Sequence, residues 1–523
     1  MKKLLFLAIF FSTTYYSHAT RFYVNSAATG SNNGLSWTNA YTNLQSAFSN
    51  VIFGDEIWVA AGTYFPTATT TKTISFVLKD GVNVYGGFNG TETLLSQRDI
   101  LAAPTTLSGD IGALGEYLDN SYNVVRANNL TSTIYLDGFR ILNGYANGTI
   151  RGGGLLISQS TAGNLIVKNC LFFSNRALNY GGAIGMFNAR LTIENCDFRN
   201  NYGPGSGGAI YSETSGAEND LYISNSRFIG NSGDQGACIG VGGNFDEIII
   251  DRCVFTNNTG GNYIIEVDGF NFGRIFNSLF VGNNLDEGSG NVVYINEAQN
   301  ITTEDFEMIN TTIANNINTY QFGISGEMVF LDKPYYKIYN SIIFGNTPYQ
   351  GRQVNPDRII KNSIIQGGYS SGINILDLDP LFVNPNNNYS EAFDAALFDY
   401  HLQSSSPAQN AGNNMYVNAS YNFDLDGNSR IDQSIVDLGA YESSFLKIDS
   451  IINATSAFQY INSENKIYIT DSEFSFNQKL SIFSATGSLI KTIIIDSEQI
   501  QLTLQPGIYF LKIRENVGKI LVQ

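Results

Sequence analysis

The chain has 523 residues, 14% of them charged, and a net charge of −17. That length accommodates a large domain together with a smaller one. Binding to nucleic-acid phosphates requires a surplus of Lys and Arg, so the acidic balance argues against a nucleic-acid partner and against attachment to an anionic membrane surface.

The N-terminus has the layout of a secretory signal peptide. Lys2 and Lys3 form a basic end, Leu4–Phe11 is apolar, and Ser17 to Ala19 resembles a cleavage site with small residues. No later segment approaches the roughly 20 apolar residues of a membrane span. We therefore expect residues 1–19 to be removed and the remaining chain to be exported without a transmembrane helix.

After this segment, apolar residues follow the spacing of an amphipathic helix. They are Trp37, Tyr41, Leu44, Phe48 and Val51. The run from Gly54 to Tyr64 is then interpreted as the first full coil of a β-solenoid. A helix in front of such a coil predicts a cap over the open end of the core, which terminal repeats need for solubility.

A seven-residue pattern of Asn, small, any, Phe or Ile, any, any, Asn recurs along the middle of the chain. Its eight copies, two of them imperfect, begin at Asn169, Asn195, Asn225, Arg252, Asn277, Asn310, Asn340 and Asn362. The starts lie 22 to 33 residues apart. A period in this range is typical of a solenoid, in which one coil cannot bury its apolar face alone.

The residues around each copy predict how a coil bends. Leu165 and Val167 precede Asn169 at strand spacing, and Cys170 and Phe172 follow it. Both pairs point inward only if the chain turns at Asn169, and Asn tolerates the left-handed conformation of such a turn. Repeated over 20–442, this predicts an all-β, right-handed parallel β-helix with end caps. Adjacent Asn side chains are expected to hydrogen-bond along the stack.

Two segments depart from the regular pattern. At Asp137–Asn143 the central position is Arg140, so this coil is interpreted as one residue out of register. Residues 378–442 are rich in Asp, Asn and Gly and are predicted to close the solenoid. From residue 443 short alternating strands and turns predict a C-terminal β-sandwich over 443–523.

The four cysteines do not define a disulfide framework. Cys170 and Cys196 lie in adjacent predicted coils and are near enough to bridge. They also share a column with Ser226, which favours small free thiols at a tight inward bend. No CxxC pair or neighbouring His supports a zinc site.

Three parts of the chain resemble known families. The GGAI motifs at Gly181–Ile184 and Gly207–Ile210, with FxxN motifs such as Phe172–Asn175, resemble the passenger repeats of polymorphic outer membrane proteins, which are bacterial surface β-helix adhesins. The run SWTNAYTNLQSAF and the closing segments YHLQSSSPAQNAGN, DLDGNSRI and VDLGAYE resemble bacterial surface proteins of the choice-of-anchor β-helix group.

The third resemblance covers residues 446–523. LSIFSATGSLIKT and LQPGIYFLKIRENVGKILV are similar to the type A sorting domain of type IX secretion substrates. The family implies recognition of residues 443–523 by secretion machinery, followed by release or attachment at the surface. The resemblances together imply an extracellular or bacterial outer-membrane surface location.

Two segments offer candidate site residues. Lys333 and Lys337 belong to a local basic run with Arg352, Arg358 and Lys361, and Tyr335 lies between the two lysines. Lys or Tyr can act as a base in polysaccharide cleavage. Solvated surface charge is the competing interpretation.

The turn DLDGNSRID offers Asp424, Asp426 and Asn428 as oxygen ligands for calcium, although Gly and Glu are missing from their positions in an EF-hand loop. The competing interpretation pairs its carboxylates with Arg430. His401, the single histidine left after removal of the signal peptide, is interpreted as part of the closing cap.

These features favour a non-catalytic adhesion or glycan-binding protein that meets an extracellular polysaccharide or a cell-surface ligand. No cofactor is predicted apart from the calcium alternative. A polysaccharide lyase or glycoside hydrolase is the second hypothesis, because paired carboxylates in space leave no signature in the sequence. A purely structural role in a matrix or surface layer is the third.

Overall fold

The computed structural model of the chain is an all-β solenoid of about nine turns. It describes residues 19–148, 151–214, 219–286, 290–296, 305–319, 326–348, 351–386, 397–431, 434–443, 458–461, 466–469, 478–484, 487–495, 499–501, 504, 507–513 and 516–522. Apart from Ala19, the predicted signal peptide lies outside these residues. Within them, no helix has the length and apolarity that spanning a membrane requires.

The chain divides into two compact units. Unit 1 consists of Met1–Ile248, Asn258–Phe272 and Glu297–Thr302. Unit 2 consists of Ile249–Asn257, Gly273–Asn296 and Thr303–Gln523. The strands Ile239–Asp251 and Tyr263–Phe276 each contain residues of both units.

The described strands of unit 1 stack in parallel. They are Arg21–Val24, Glu56–Ala60, Gly62–Tyr64, Phe76–Leu78, Asn83–Phe88, Thr105–Ser108, Val125–Asn128, Ile134–Asp137, Phe139–Leu142, Tyr145–Ala146, Leu155–Lys168, Leu171–Phe173, Arg176–Ala177, Ile184–Glu194, Asp197–Arg199, Ile210–Glu213, Asp220–Ser224, Arg227–Ile229, Ser232–Gly233 and Thr259–Gly260. In this unit Phe172 pairs with Phe198, and Phe198 pairs with Phe228. Their rings stack at 5.0 Å and 4.7 Å between centroids and form the continuous core that the repeat predicted.

Unit 2 continues with Val254–Thr256, Leu279–Val281, Asn284–Leu285, Asn291–Asn296, Asp305–Ile309, Thr312–Ala314, Ile317–Asn318, Val329–Leu331, Lys337–Tyr339, Ile342–Phe344, Ile359–Ile365, Ile373–Leu376, Phe382–Asn384 and Asp399–Leu402. The coil strands are again parallel, with Phe255 paired to Phe280 and Ile313 to Ile343. Phe382–Asn384 and Asp399–Leu402 form an antiparallel pair instead.

Each seven-residue motif contains two left-handed bends. The first residue of all eight copies has a positive φ, from 48° at Asn225 to 53° at Asn195, and Arg252 adopts the same conformation at 50°. The sixth residue is also left-handed in every copy: Ser174, Asn200, Gly230, Asn257, Gly282, Asn315, Gly345 and Gly367. The first bend confirms the role predicted for Asn, and the second explains why this position holds only Ser, Asn or Gly.

The irregular coil at Asp137–Asn143 is out of register as predicted. Ile141, and not Arg140, pairs with Phe172 of the next coil. Gly138 therefore takes the bend position, where its φ is 85°. A glycine needs no special side chain for this conformation, so the missing Asn is tolerated.

Small residues after the first bend form a second ladder. The backbone N–H of Cys170 donates to Sγ of Cys196 at 3.4 Å, and that of Cys196 donates to Oγ of Ser226 at 3.1 Å. Cys170, Cys196, Cys238 and Cys253 are all free and buried. The prediction of free thiols in a column is confirmed for this pair.

The N-terminal helix is shorter than the apolar spacing predicted. It spans Leu44–Asn50 and buries Leu44, Ala47 and Phe48. Asn43 caps it, since its side chain accepts the N–H of Gln45 at 2.7 Å, and this fixes the start. Trp37 and Tyr41 precede the helix; Tyr41 instead bridges to Val24 of the first strand. Extending the helix to Trp37 was therefore wrong.

The segment from Ala408 to Glu442, which we call the strap, packs along the sides of coils in unit 2. Asn277 donates to the carbonyl of Tyr421 at 3.0 Å, and Asn310 donates to that of Asp437 at 3.0 Å. Two short 3-10 helices, Asn414–Tyr416 and Ala419–Tyr421, lie in the strap. Two more, Leu95–Gln97 and Tyr117–Asp119, lie in unit 1. The closing segment thus covers the bends at the side of the coils.

The C-terminal strands are antiparallel. Phe458–Ile461, Lys466–Ile469 and Gln499–Gln501 form one sheet, and Lys479–Ser484, Leu489–Ile494, Gly507–Ile513 and Asn516–Val522 form the other. Ile467 of the first sheet and Leu480 and Leu511 of the second belong to one buried cluster. Two sheets that share a core agree with the predicted β-sandwich.

Candidate functional site

The basic residues singled out in the sequence have separate carboxylate partners. Nζ of Lys337 lies 2.8 Å from Asp305 and 3.1 Å from Glu307, and Arg274 pairs with the same two carboxylates. Burial lowers the pKa of Lys337, but these two hydrogen bonds outweigh it and the pKa is raised. A catalytic base needs the neutral amine, whereas this setting favours the ammonium ion.

Lys333 and Tyr335 occupy a neighbouring turn. Nζ of Lys333 lies 3.2 Å from Asp332. The Tyr335 side chain is 41% exposed, and its ring stands edge-on to the buried Tyr336. Lys333 and Lys337 thus engage different carboxylates, and the ion pairs support the interpretation as ordinary surface charge.

In the turn that the sequence offered as a calcium site, the carboxylate oxygens of Asp424 accept hydrogen bonds from the protein itself. Asp424 Oδ1 accepts the backbone N–H groups of Asp426 and Asn428, and Oδ2 accepts the Asn428 amide and the N–H of Glu442. Asp424 is fully buried. With both oxygens committed, the carboxylate is a turn-forming group whose lone pairs point at protein donors.

His401 is clamped between two carboxylates. Its Nδ1 lies 2.5 Å from Asp399, its Nε2 lies 2.8 Å from Asp426, and Tyr441 packs on the ring at 4.0 Å. Burial lowers the pKa of His401, but the hydrogen bonds to both carboxylates prevail and raise it to about 10. The imidazolium therefore joins the antiparallel pair to the strap, which fits the structural role expected of this residue.

A surface in unit 1 that the sequence did not single out carries stacked aromatic rings. Tyr180 and Tyr211 stack at 4.5 Å with 26° between their planes. The Arg151 guanidinium lies 5.1 Å from the Tyr211 ring and 5.8 Å from that of Phe187. Arg151 also pairs with Glu213. We call these five residues the aromatic–arginine face.

The strand register explains why these residues meet. In adjacent coils Gly185 pairs with Tyr211 and Phe187 pairs with Glu213, so the four positions lie on one outward side of the sheet. A Cβ at Gly185 would stand 2.6 Å from the Cβ of Arg151. The absence of a side chain at 185 therefore lets Arg151 reach the rings.

A second group of tyrosines lies on another strip of unit 1. Tyr145 pairs with Arg176, and Arg176 bridges to Tyr202 in the next coil. The Arg176 guanidinium lies 5.0 Å from the ring of Tyr117 and 5.9 Å from that of Tyr202. Tyr117 and Tyr202 are 45% and 39% exposed, so this strip presents aromatic rings to solvent.

Beside the aromatic–arginine face, two glycines occupy outward positions of the next strand, and Ser206 fills the space above one of them. Tyr211 pairs with Gly240 and Glu213 pairs with Gly242 in the next coil. The Oγ of Ser206 lies 1.9 Å from the place where a Cβ of Gly240 would stand, and donates to Glu266 at 3.2 Å. Glu266 lies in Tyr263–Phe276, which pairs with the strand carrying both glycines.

The environment of Glu266 favours its protonated form. Burial is the larger cause and the negative charge of Asp268 the second, and together they raise the pKa of Glu266 to about 7. The hydrogen bond from Ser206 acts in the opposite direction but does not offset them. A carboxyl group of this kind can donate a proton near neutral pH.

Sequence reasoning missed this face because its residues come from three coils and lie outside the repeated motif. Tyr180 and Arg151 precede Gly-rich turns, while Tyr211 and Glu213 follow one. The one available signal was the outward alternation Tyr211 to Glu213 after GGAI, which becomes meaningful only once the register with Gly185 is known.

Three solved structures align with most of the chain at low sequence identity. No family model and no curated protein matches it. A pectate lyase, Pel9A, aligns over 81% of this chain and 97% of its own, with 16% identity and a TM-score of 0.44. A rhamnogalacturonan lyase aligns over 69% and 85%, with 13% identity and a TM-score of 0.33. XylC in complex with xylose aligns over 81% and 98%, with 9% identity and a TM-score of 0.34.

Proposed function

We propose that the chain is an exported glycan-binding protein and that a neutral polysaccharide binds on the aromatic–arginine face. The observation that carries this proposal is the stacked pair of Tyr180 and Tyr211 with the Arg151 guanidinium beside it. Flat rings offer the apolar side of a sugar a large, rigid contact at low entropic cost.

The polar groups around the rings suit sugar hydroxyls. Arg151 supplies N–H donors and Glu213 supplies acceptors, and Tyr211 donates to Glu213 at 3.4 Å. A few placed polar groups beside aromatic surface are the usual composition of a small-molecule or saccharide site. The face therefore combines stacking with directional hydrogen bonds.

Charge selects the class of polysaccharide. Arg151 is already paired with Glu213, and Glu266 and Asp268 add acidic groups nearby. The whole chain also carries a net charge of −17. A polyanion would meet repulsion here, so the proposal commits to a neutral chain.

Two matched tyrosine variants test the proposal. Tyr180→Ala removes one ring of the stacked pair, and Tyr335→Ala removes a ring of similar exposure, 37% against 41%, in unit 2. Affinity gel electrophoresis of the full chain would use xylan, β-glucan, galactomannan and, as an anionic comparison, polygalacturonate. We expect retardation by a neutral polysaccharide that Tyr180→Ala weakens and Tyr335→Ala preserves. Equal retardation of both variants, or binding to polygalacturonate alone, would overturn it.

Export is proposed to depend on residues 443–523. The two antiparallel sheets there support this role, together with the motif resemblance of LSIFSATGSLIKT. In a host that carries the secretion machinery, a chain truncated after residue 442 should remain in the periplasm, whereas the full chain should reach the medium or the surface. Surface delivery of the truncated chain would contradict the proposal.

A further inference from the structure

We propose that the loop between Gly109 and Ser121 in unit 1 binds a calcium ion, with Asp119, Asn120 and Ser121 as its side-chain ligands. The observation that carries this proposal is a run of three buried oxygen atoms without a hydrogen-bond partner: Oδ1 of Asp119, Oδ1 of Asn120 and Oγ of Ser121. Asn120 is 3% exposed and Ser121 is 0% exposed. Within the described part of the chain, no other three consecutive residues carry such atoms. The site does not depend on glycan binding.

Hydrogen bonds hold these residues at the point where the loop closes on itself. The backbone N–H of Ser121 donates to the carbonyl of Gly109 at 2.9 Å, and the N–H of Tyr145 donates to the carbonyl of Ser121 at 2.9 Å. Asn120 Nδ2 donates to the carbonyl of Asn143 at 2.7 Å. The same carbonyl oxygen lies 2.6 Å from the place where a Cβ of Gly109 would stand. The Asn120 amide therefore packs against the start of the loop.

The loop fixes one oxygen of Asp119 and leaves the other for a ligand. Oδ2 accepts the backbone N–H of Ala113 at 2.8 Å, and it stands 2.6 Å from the place where a Cβ of Gly112 would be. The carboxylate thus folds back over the loop. The ammonium group of Lys72 donates to the carbonyl of Leu118 at 3.0 Å and not to Oδ1. Among the described residues, the negative charge of Asp119 has no ion-pair partner.

A single cation can satisfy three acceptors in this arrangement. Calcium takes oxygen ligands at about 2.3–2.6 Å, so the ligands of one ion lie within about 5 Å of each other. Consecutive Cα atoms are about 3.8 Å apart, and the short side chains of Asp, Asn and Ser keep their oxygens within that span. A water molecule has only two hydrogens to donate, so it would leave one of the three oxygens and the charge of Asp119 unsatisfied.

The types of ligand select the metal. A carboxylate, an amide carbonyl and a hydroxyl are hard oxygen ligands, which suit calcium better than zinc or copper. In the described ranges, no three His, Cys, Asp or Glu side chains are grouped so as to hold a metal ion, which agrees with a site of mixed oxygen ligands. Magnesium demands nearly ideal octahedral geometry, whereas calcium accepts the irregular geometry that three adjacent residues offer.

The ion would also fix an aromatic ring on the surface. Tyr117 begins the short 3-10 helix that ends at Asp119, and its carbonyl accepts the N–H of Asn120 at 3.3 Å. The Tyr117 ring is edge-on to that of Tyr145 at 5.3 Å, and the Arg176 guanidinium lies 5.0 Å from it. Calcium at residues 119–121 therefore holds the half-exposed Tyr117 ring in the second group of tyrosines.

The test uses the full chain after a chelator has removed metal ions. Isothermal titration calorimetry measures calcium binding, and thermal unfolding is compared with and without calcium. We expect binding and a higher melting temperature in calcium, because a ligand of the folded state stabilises that state. Magnesium should bind more weakly on the order of 10-fold or more. Magnesium binding as tight as that of calcium would contradict the choice of metal.

Three variants locate the ion. Asp119→Asn removes the charge and keeps an acceptor for the Ala113 N–H, and Ser121→Ala removes one ligand oxygen. Each should weaken calcium binding on the order of 10-fold or more, since affinity follows the number and charge of the ligands. In the chelator both should melt no lower than the original chain, because neither change breaks a hydrogen bond of the lost oxygen. Asp426→Asn, in the turn of unit 2 that the sequence offered as a calcium site, should bind calcium like the original chain.

The outcomes that overturn the proposal are distinct. If the original chain binds no calcium, water alone hydrates the three oxygens. If Asp119→Asn and Ser121→Ala bind calcium as tightly as the original chain, the ion lies elsewhere, and loss of binding in Asp426→Asn alone would place it in that turn.

Discussion

Asn201 donates from Nδ2 to Oδ1 of Asn231 at 3.0 Å, although both side chains are almost completely buried. The same oxygen accepts the backbone N–H of Asn201 at 3.1 Å, and Asn201 Nδ2 also reaches the carbonyl of Phe172 at 3.0 Å. Asn201, the seventh residue of its copy of the motif, thus ties its own coil to both neighbours. The ladder satisfies polar groups that the Phe core could not.

Replacing Asn231 with Ala should destabilise unit 1. The change removes the acceptor for Asn201 and the donor to the carbonyl of Phe198, which leaves several buried groups without partners. Each such group costs about 1–3 kcal/mol, so we expect a loss of at least about 3 kcal/mol. Urea unfolding followed by circular dichroism measures it. Asn147→Ala, at an exposed position, should shift stability by less than about 0.5 kcal/mol. An equal effect of both would contradict the ladder.

The repeated coils could be predicted from the sequence, whereas the packing of the strap could not. The Asn bends, the Phe column and the free thiols follow from local conformational preference and from period-two alternation, both of which act within one coil. The strap contacts, such as Asn277 with Tyr421, join residues 144 positions apart. No periodic signal marks a contact of that kind, so the segment was predicted to close the end of the solenoid and its packing along the sides was missed.

The length of the helix was predicted wrongly and the aromatic–arginine face was missed, and the two errors have different physical reasons. Trp37 and Tyr41 have helical spacing, but the Asn43 cap starts the helix later, so spacing alone overestimated its length. The aromatic–arginine face depends on register between coils of unequal length. Gly185 and Tyr211 are paired in the sheet although 26 residues separate them, and that pairing is invisible without coordinates.

Glu442 should make stability fall as the pH rises. Burial is the main cause that raises its pKa to about 8, and the nearby Asp437 adds to the effect, while Arg430 opposes it. Since the ordinary value is 4.5, the folded state binds the proton more tightly than the unfolded state. Its contribution is complete below about pH 4.5 and is lost as the pH rises through about 8.

Thermal unfolding of the original chain and of Glu442→Gln measures this contribution. Gln imitates the protonated carboxyl. The stability of the variant relative to that of the original chain should therefore be higher at pH 9 than at pH 5. A difference between the two proteins that does not change with pH would show that Glu442 stays ionised in the strap.

His401 should stabilise the contact between the strap and the Asp399–Leu402 strand up to alkaline pH. Its pKa is raised from 6.5 to about 10, because the two carboxylates outweigh the opposing effect of burial. The stabilisation is therefore complete below about pH 6.5 and disappears as the pH passes about 10. His401→Gln should lower the melting temperature at pH 7 and have little effect above pH 10. A uniform effect across this range would contradict the ion-pair role.

Lys337→Met should leave glycan binding and any hydrolysis unchanged. The ammonium group is held by Asp305 and Glu307, and Arg274 remains to pair with both after the substitution. We expect a stability loss of about 1 kcal/mol or less, as for other partly exposed ion pairs. Reducing-end release and affinity gels measure the first point, and urea unfolding the second. A large loss of cleavage would instead identify Lys337 as a base.

The central claim is that a neutral glycan occupies the aromatic–arginine face, and hydrogen–deuterium exchange with and without a bound neutral oligosaccharide tests it most directly. The account predicts slower exchange in peptides covering Ile184–Glu194 and Ile210–Glu213 and the turn at Tyr180. Protection confined to Lys337–Tyr339 or to Asp399–Leu402, with none on the aromatic–arginine face, would contradict it.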